Sequence, residues 1–354
     1  MGALRGLFDW MGSWVEKSAG RCAMVPLPDP AAADSGPFVP NDSYFRIWVT
    51  EGYLAKRRHL GTSQLPTVHA GVSLRYAGRP EAEFASIAGP GQASQAAGSQ
   101  TDFALTELLP YTGGTVEVEA GLVPLRGENV IRSGLDLLRD MGGLVTPPVS
   151  AVLDVATKVA SGVVSFLQAA QPEIQLGFHR TYAAEGGGGA NVFAPGYVAV
   201  LNTDIRKLNG KSLSTVGGTL CLDGQPVTDI DFLLLRFEKR QYRDDWRFPN
   251  VMDLRRQAIN ARTGGDSSAY NVYKGSAINT LLTSDDLTPT DQVRASTALS
   301  REFERIESGH GAVSQLAAQE RRGDLAPLID TLAPSPESVR ASPRPRLAAL
   351  LGGG

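Results

Sequence analysis

The stretch IDFLLL, residues 230–235, is apolar over almost its whole length. A strand with one face in water alternates apolar and polar residues, whereas a strand covered on both faces reads as a continuous apolar run. Residues 230–235 therefore predict an interior strand, with other strands of the same sheet on either side of it.

Strand patterns occur on both sides of the central insertion discussed below. The segment 116–122, VEVEAGL, alternates apolar and polar residues with the period of a half-buried strand. Further strand patterns lie at 44–49, 68–76, 82–88, 173–182, 196–203 and 215–222. These short runs, separated by Gly- and Pro-containing turns, predict an antiparallel sheet or sandwich.

Helical patterns interrupt the strands once and then replace them. Residues 148–168 carry one apolar stripe and one polar face, so they predict a helix that covers a face of the sheet rather than one that spans a bilayer. Thr288-Pro289-Thr290-Asp291 predicts the start of a later helix, because it combines a capping Thr, a Pro in the first turn and an acid close to the helix N-terminus.

The predicted fold class is α+β: an antiparallel sheet or sandwich with a central two-helix insertion and a helical C-terminal region. The predicted organisation is an amphipathic N-terminal helix at 1–20, a Pro-rich linker at 21–43, a β-rich domain at 44–248 with helices at about 128–168, a helical region at 249–322 and a flexible tail at 323–354.

The N-terminal segment carries the predicted interaction residues. Residues 3–18 place large apolar side chains at helical spacing: Leu4, Leu7, Phe8, Trp10, Met11 and Trp14. Such a face has to be covered, and three surfaces can cover it: the chain's own domain, a partner protein or a membrane. Exposed aromatic and Met side chains are enriched at protein interfaces.

Residues 184–191, AEGGGGAN, contain four consecutive glycines. A phosphate-binding loop needs a helix N-terminus directly after it, and a P-loop also needs Lys and then Ser or Thr. A strand pattern follows here instead. Gly210-Lys211-Ser212 supplies the second half of a P-loop, but position 205, where the first Gly belongs, is Ile205. We therefore expect residues 184–191 to be a pliable hairpin loop between two strands.

Four carboxylates gather near the central apolar run: Asp229, Asp231, Asp244 and Asp245. Oxygen clusters of this kind hold Mg²⁺ or Ca²⁺, which makes a metal-dependent hydrolase one hypothesis. Arg236, Arg240 and Arg243 are close in the sequence, so we expect salt bridges at these carboxylates and no metal. The four histidines show no metal-ligand spacing, and no nucleophile motif occurs, so no cofactor is expected and an enzyme is disfavoured.

Composition narrows the function class further. The net charge of −3 gives no clear nucleic-acid signal, and Cys22 and Cys221 form no disulfide framework, which fits a reducing cytoplasm. Abundant Ala, Arg and Gly with few Lys suggest a bacterial source. The expected function is a non-enzymatic interaction or scaffolding subunit of a bacterial cytoplasmic assembly that binds other subunits or itself through residues 3–18. A membrane-docking protein using the same residues is the alternative.

Overall fold

The computed structural model describes residues 22–30, 32, 36–55, 58–59, 62–75, 82–88, 99–106, 108–126, 175–184, 191–243, 246, 248–308, 325 and 329. Within these residues the fold is α+β, as predicted, with antiparallel sheets and a helical C-terminal region. The predicted helices at about 128–168 lie outside the described residues.

The strands are, in chain order, β1 (Ala23–Leu27), β2 (Tyr44–Tyr53), β3 (Arg58–His59), β4 (Thr62–Arg75), β5 (Ala82–Ala88), β6 (Ser99–Ala104), β7 (Leu109–Pro110), β8 (Thr115–Arg126), β9 (Leu176–Ala183), β10 (Asn191–Val192), β11 (Gly196–Leu201), β12 (Leu213–Val216), β13 (Thr219–Leu222), β14 (Gln225–Pro226) and β15 (Phe232–Arg240). A 3-10 helix spans Ile205–Leu208, and the α-helices are α1 (Pro249–Thr263), α2 (Ser267–Leu282) and α3 (Pro289–Glu307).

The chain divides into two compact units. The β unit comprises Met1–Pro40, Phe45–Glu107 and Thr112–Lys239. The helical unit comprises Asn41–Tyr44, Leu108–Tyr111 and Arg240–Gly354, so it takes two short segments from the N-terminal part of the chain.

The first sheet of the β unit has the order β1-β11-β15-β2-β6, which places β15 in the interior. This confirms the position predicted from IDFLLL. All four residues Phe232–Leu235 are fully buried, because the strand is paired on both sides and covered on both faces. Pairing of β11 with β1 and with β15 is antiparallel.

The second sheet has the order β10-β9-β8-β4-β3, and β5 pairs with β4. Residues at alternate positions of β8 are buried with 0–1% exposure, namely Val116, Val118, Ala120 and Leu122. This is the half-buried strand that the alternation at 116–122 predicted. The pairing of β8 with β4 and with β9 is antiparallel.

An aromatic cluster joins the two sheets and makes the β unit a sandwich. Tyr182 on β9 and Phe237 on β15 have ring centroids 4.9 Å apart. Phe193 lies beside both rings, at 6.0 and 5.9 Å, and stacks on Phe38 at 4.1 Å. Such ring pairs add to the stability gained from burial alone.

A three-stranded meander, β12-β13-β14, packs on the first sheet. Leu220 and Val227 belong to the same buried cluster as Phe232 and Leu234. The first turn of the meander has φ of 57° and 84° at Gly217 and Gly218, values that glycine adopts without strain.

The predicted linker at 21–43 requires a correction. Ala23–Leu27 forms β1 and pairs with β11 along its full length. Pro26 is tolerated because β1 is the outermost strand in the order of the first sheet, where a missing N–H costs no interior hydrogen bond. Phe38 is also buried, so the prolines mark breaks between packed segments and not a free tether.

In the helical unit, Thr288 caps α3 as predicted, with its hydroxyl accepting from the backbone N–H of Asp291. Ala295, Leu299 and Phe303 form the buried face of this helix. The start of the predicted flexible tail at 323–354 is a second correction. Leu325 and Ile329 are buried in the core of the helical unit, at the four-residue spacing of one helical face.

Candidate functional site

Several predicted site residues lie outside the described residues. They are the interaction residues Leu4, Leu7, Phe8, Trp10, Met11 and Trp14, two of the four carboxylates, Asp244 and Asp245, and the glycines at 186–189. The interaction surface at 3–18 therefore stays a prediction.

Asp231 is positioned directly before β15, and its carboxylate is a hydrogen-bond hub. It accepts from the backbone N–H of Ala55 at 2.8 Å, from Gln175 Nε2 at 2.9 Å and from Asn202 Nδ2 at 3.2 Å. Gln175 directly precedes β9 of the second sheet, whereas Asn202 follows β11 of the first. The carboxylate therefore connects the two sheets at one end of the sandwich.

The donors to Asp231 are not the arginines that the sequence suggested. Arg236 Nε donates to Asp29 at 2.8 Å, and Arg243 Nη1 donates to the backbone oxygen of Asp286 at 2.9 Å. Sequence neighbours on a strand alternate between its faces, so proximity along the chain did not identify the donors. Asp229 is exposed, and within the described residues no three His, Cys, Asp or Glu side chains come close enough to share a metal ion.

The glycine-rich segment joins two strands but is not a hairpin loop. β10 runs parallel to β9, with Asn191 opposite Tyr182 and Val192 opposite Ala183. The chain returns to the starting side before pairing again, which a hairpin turn does not do. Directly after β10, Phe193 donates its backbone N–H to Ala183 at 2.8 Å and enters the aromatic cluster.

A polar group on β8 and β9 was not identified from the sequence. His179 Nε2 lies 2.6 Å from Glu117 Oε1, and the strand register places Glu119 directly opposite His179. The carboxylate of Glu117 orients the imidazole ring, as carboxylates do in many His-containing sites. The available signal was the pair of acids two residues apart on one strand face, but the partner strand is about 60 residues away in sequence.

The helical unit contains a buried tyrosine–carboxylate pair. Tyr44 OH donates to Asp291 Oδ2 at 2.7 Å and accepts from the backbone N–H of Thr288 at 3.0 Å. Burial raises the pKa of the Asp291 carboxyl above 3.8, although Tyr44 and Arg294 oppose the shift. Burial also raises the pKa of the Tyr44 hydroxyl, as does the neighbouring charge of Asp291.

A buried ion pair connects α1 and α3. Arg255 Nε donates to both oxygens of Glu302, at 3.1 and 3.0 Å, and the two side chains are 1% and 6% exposed. Two parallel bonds of this kind fix both distance and orientation. The pair therefore sets the register of the two helices, which is a structural role.

The ranges that the structure describes contain no helix with both the length and the apolar character needed to cross a bilayer. No protein-family model, curated protein or solved structure matches this chain. The function is therefore inferred from the chain's own residues.

Proposed function

We propose that this chain is a non-enzymatic interaction or scaffolding subunit of a bacterial cytoplasmic multiprotein assembly. It attaches to other subunits, or to further copies of itself, through residues 3–18. The observation that supports this most directly is the position of β1, which is paired into the first sheet from Ala23 opposite Leu201 to Leu27 opposite Tyr197.

The position of β1 changes what residues 3–18 are attached to. The predicted linker at 21–43 would have left them on a long tether, whereas residues 19–22 alone separate them from a sheet strand. A binding segment on a short connection has less freedom to lose when it binds. Each large apolar side chain buried at an interface contributes on the order of 1.5–3 kcal/mol, so the six interaction residues suffice for a stable attachment.

Two alternatives use different chemistry. A membrane surface competes for the same apolar side chains at 3–18. A metal-dependent hydrolase would use Asp229, Asp231, Asp244 and Asp245, but Asp231 already accepts three hydrogen bonds, which directs its oxygens to protein donors. The interaction proposal is favoured because it uses residues that have no such structural task.

The test removes residues 1–20 and measures both folding and association. We expect the truncated protein to keep its melting temperature, since β1 and the sandwich remain, and to lose association in light scattering and co-purification. Leu7→Asp with Trp14→Asp should have the same effect in the full chain. Ser13→Asp with Lys17→Gln, which makes the same change of two charge units on the other side of the predicted helix, should not.

Three outcomes contradict the proposal. A truncated protein that unfolds would make residues 3–18 part of the core. Unchanged association would remove them as the attachment site. Loss of co-sedimentation with lipid vesicles, without any loss of protein association, would favour the membrane alternative.

A further inference from the structure

The N-terminal segment leaves the β unit at a defined place. Ala23, the first residue of β1, lies opposite Leu201 at the end of β11. The chain then turns from Leu201 into the 3-10 helix, and Leu208 of that helix packs in the same buried cluster as Ala23. The point of exit and the 3-10 helix therefore lie at the same end of the first sheet.

The surface beside this exit is apolar at one position and basic around it. Ile205 is 51% exposed, although branched aliphatic side chains are usually buried. Arg206 Nη2 pairs with Asp204 Oδ2 at 2.6 Å, which holds the pKa of that carboxyl at about 2. Lys207 and Lys211 are also exposed, and they leave this stretch with a net positive charge. Ile205, Lys207 and Lys211 are called the exit surface below.

The exit surface is within reach of residues 3–18. Five Cα steps separate Ser18 from Ala23, and they span at most about 17 Å when fully extended. Four steps separate Leu201 from Ile205. A segment confined to this end of the sheet therefore meets the exit surface before other parts of the unit.

We propose that the exit surface is the docking site for residues 3–18 of a second copy of this chain, so that two copies exchange their N-terminal segments. The inference rests on the proposed function and names the partner for it. Charge complementarity supports it, because Asp9 and Glu16 of the segment carry the charge opposite to Lys207 and Lys211.

The size of the apolar segment favours a second copy over the chain's own surface. Phe8, Trp10 and Trp14 alone offer roughly 450–750 Å² for burial, taking about 150–250 Å² for each ring. Ile205 is a single side chain and cannot cover that area. Two exchanged segments that pack on each other and on the two exit surfaces bury about 800 Å² per copy, the area of a typical stable interface.

The experiment measures the mass of the full chain against its concentration by sedimentation equilibrium. We expect a dimer whose dissociation constant rises by roughly tenfold or more in Ile205→Asp, because the new carboxylate loses its water at the interface. Val216→Asp is the matched control: Val216 is 64% exposed on the same unit, at the turn of the meander, and its replacement should leave the dimer unchanged.

A charge exchange distinguishes direct docking from an indirect effect. Lys207→Glu with Lys211→Glu should weaken the dimer, and adding Asp9→Lys with Glu16→Lys should restore it. A chain that stays monomeric overturns the inference but leaves attachment to other subunits standing. So does a dimer that depends on residues 1–20 yet is unaffected by Ile205→Asp and by both charge reversals. A dimer that survives deletion of residues 1–20 contradicts both proposals.

Discussion

The β unit and the helical unit use buried polar side chains in different ways. In the β unit the carboxylate of Asp231 is held by uncharged donors at the end of the sandwich, and the space between the sheets is filled by aromatic rings. In the helical unit charged groups are buried among the helices themselves, as Arg255–Glu302 and as Asp291 beside Tyr44.

The difference follows from how the two kinds of element satisfy their backbones. Strands share hydrogen bonds with their neighbours, so the ladder itself fixes the register of β15 between β11 and β2. Helices satisfy their own backbones and are free to slide or rotate against each other. A buried bidentate pair such as Arg255–Glu302 selects one register, and this specificity is its main contribution.

The largest effect that we expect in the β unit comes from Phe193→Ala. Phe193 is fully buried and touches rings from both sheets, so its truncation leaves a cavity that the ladders prevent from closing. Phe-to-Ala changes at such positions cost about 3–5 kcal/mol. Urea unfolding followed by tyrosine and tryptophan fluorescence measures it. Val192→Ala, at an exposed neighbour, should change stability by less than about 0.5 kcal/mol.

Breaking the ion pair is the corresponding test of the helical unit. Arg255→Met leaves Glu302 buried without its partner, and we expect a loss of about 3 kcal/mol or more in helix unfolding, followed by circular dichroism. Arg255→Met with Glu302→Leu should recover most of it, because two apolar side chains carry no desolvation cost. Arg256→Ala is the control, since Arg256 and its partner Asp253 are both more than half exposed. If the double variant is as unstable as the single one, the pair does more than set register.

Asp231→Ala should have a smaller effect, located in the β unit. It removes three hydrogen bonds to one carboxylate but leaves the aromatic cluster intact, and loss of donors to a charged group costs about 1.5–3 kcal/mol. The variant should not change the response of the melting temperature to Mg²⁺ or Ca²⁺. A metal-dependent rise in the native protein that disappears in Asp231→Ala would instead support the hydrolase alternative. Asp229→Asn, at the exposed neighbour, serves as control.

The smallest effect is a dependence on pH in the helical unit. Because burial raises the pKa of Asp291 above 3.8, the folded state binds this proton more tightly than the unfolded state. The carboxyl therefore adds stability at low pH and loses that contribution as the pH rises through the raised pKa. The amide introduced by Asp291→Asn does not titrate, so the native protein and this variant should be compared across this range. The native protein should lose stability relative to the variant as the pH rises, and a constant difference would contradict the shift.

The sequence was informative wherever one segment carried its own signal. IDFLLL predicted an interior strand because its composition reflects burial on both faces, and VEVEAGL predicted a half-buried strand from its period of two. Thr288-Pro289 predicted the start of α3 because capping needs only adjacent residues. The four glycines and the prolines at 21–43 were less reliable, since both residue types permit several backbone paths.

Tertiary structure alone decided which distant residues meet. The donors to Asp231 come from before β9, after β2 and after β11, and the partner of Glu117 is on another strand, so no local pattern could identify them. It also decided that Ala23–Leu27 is a strand and that Tyr44 belongs to the helical unit. Local sequence determines which face of an element is apolar, because that depends on spacing along the chain. The partner of each face depends on which elements pack together, and that is settled by the free energy of the whole fold.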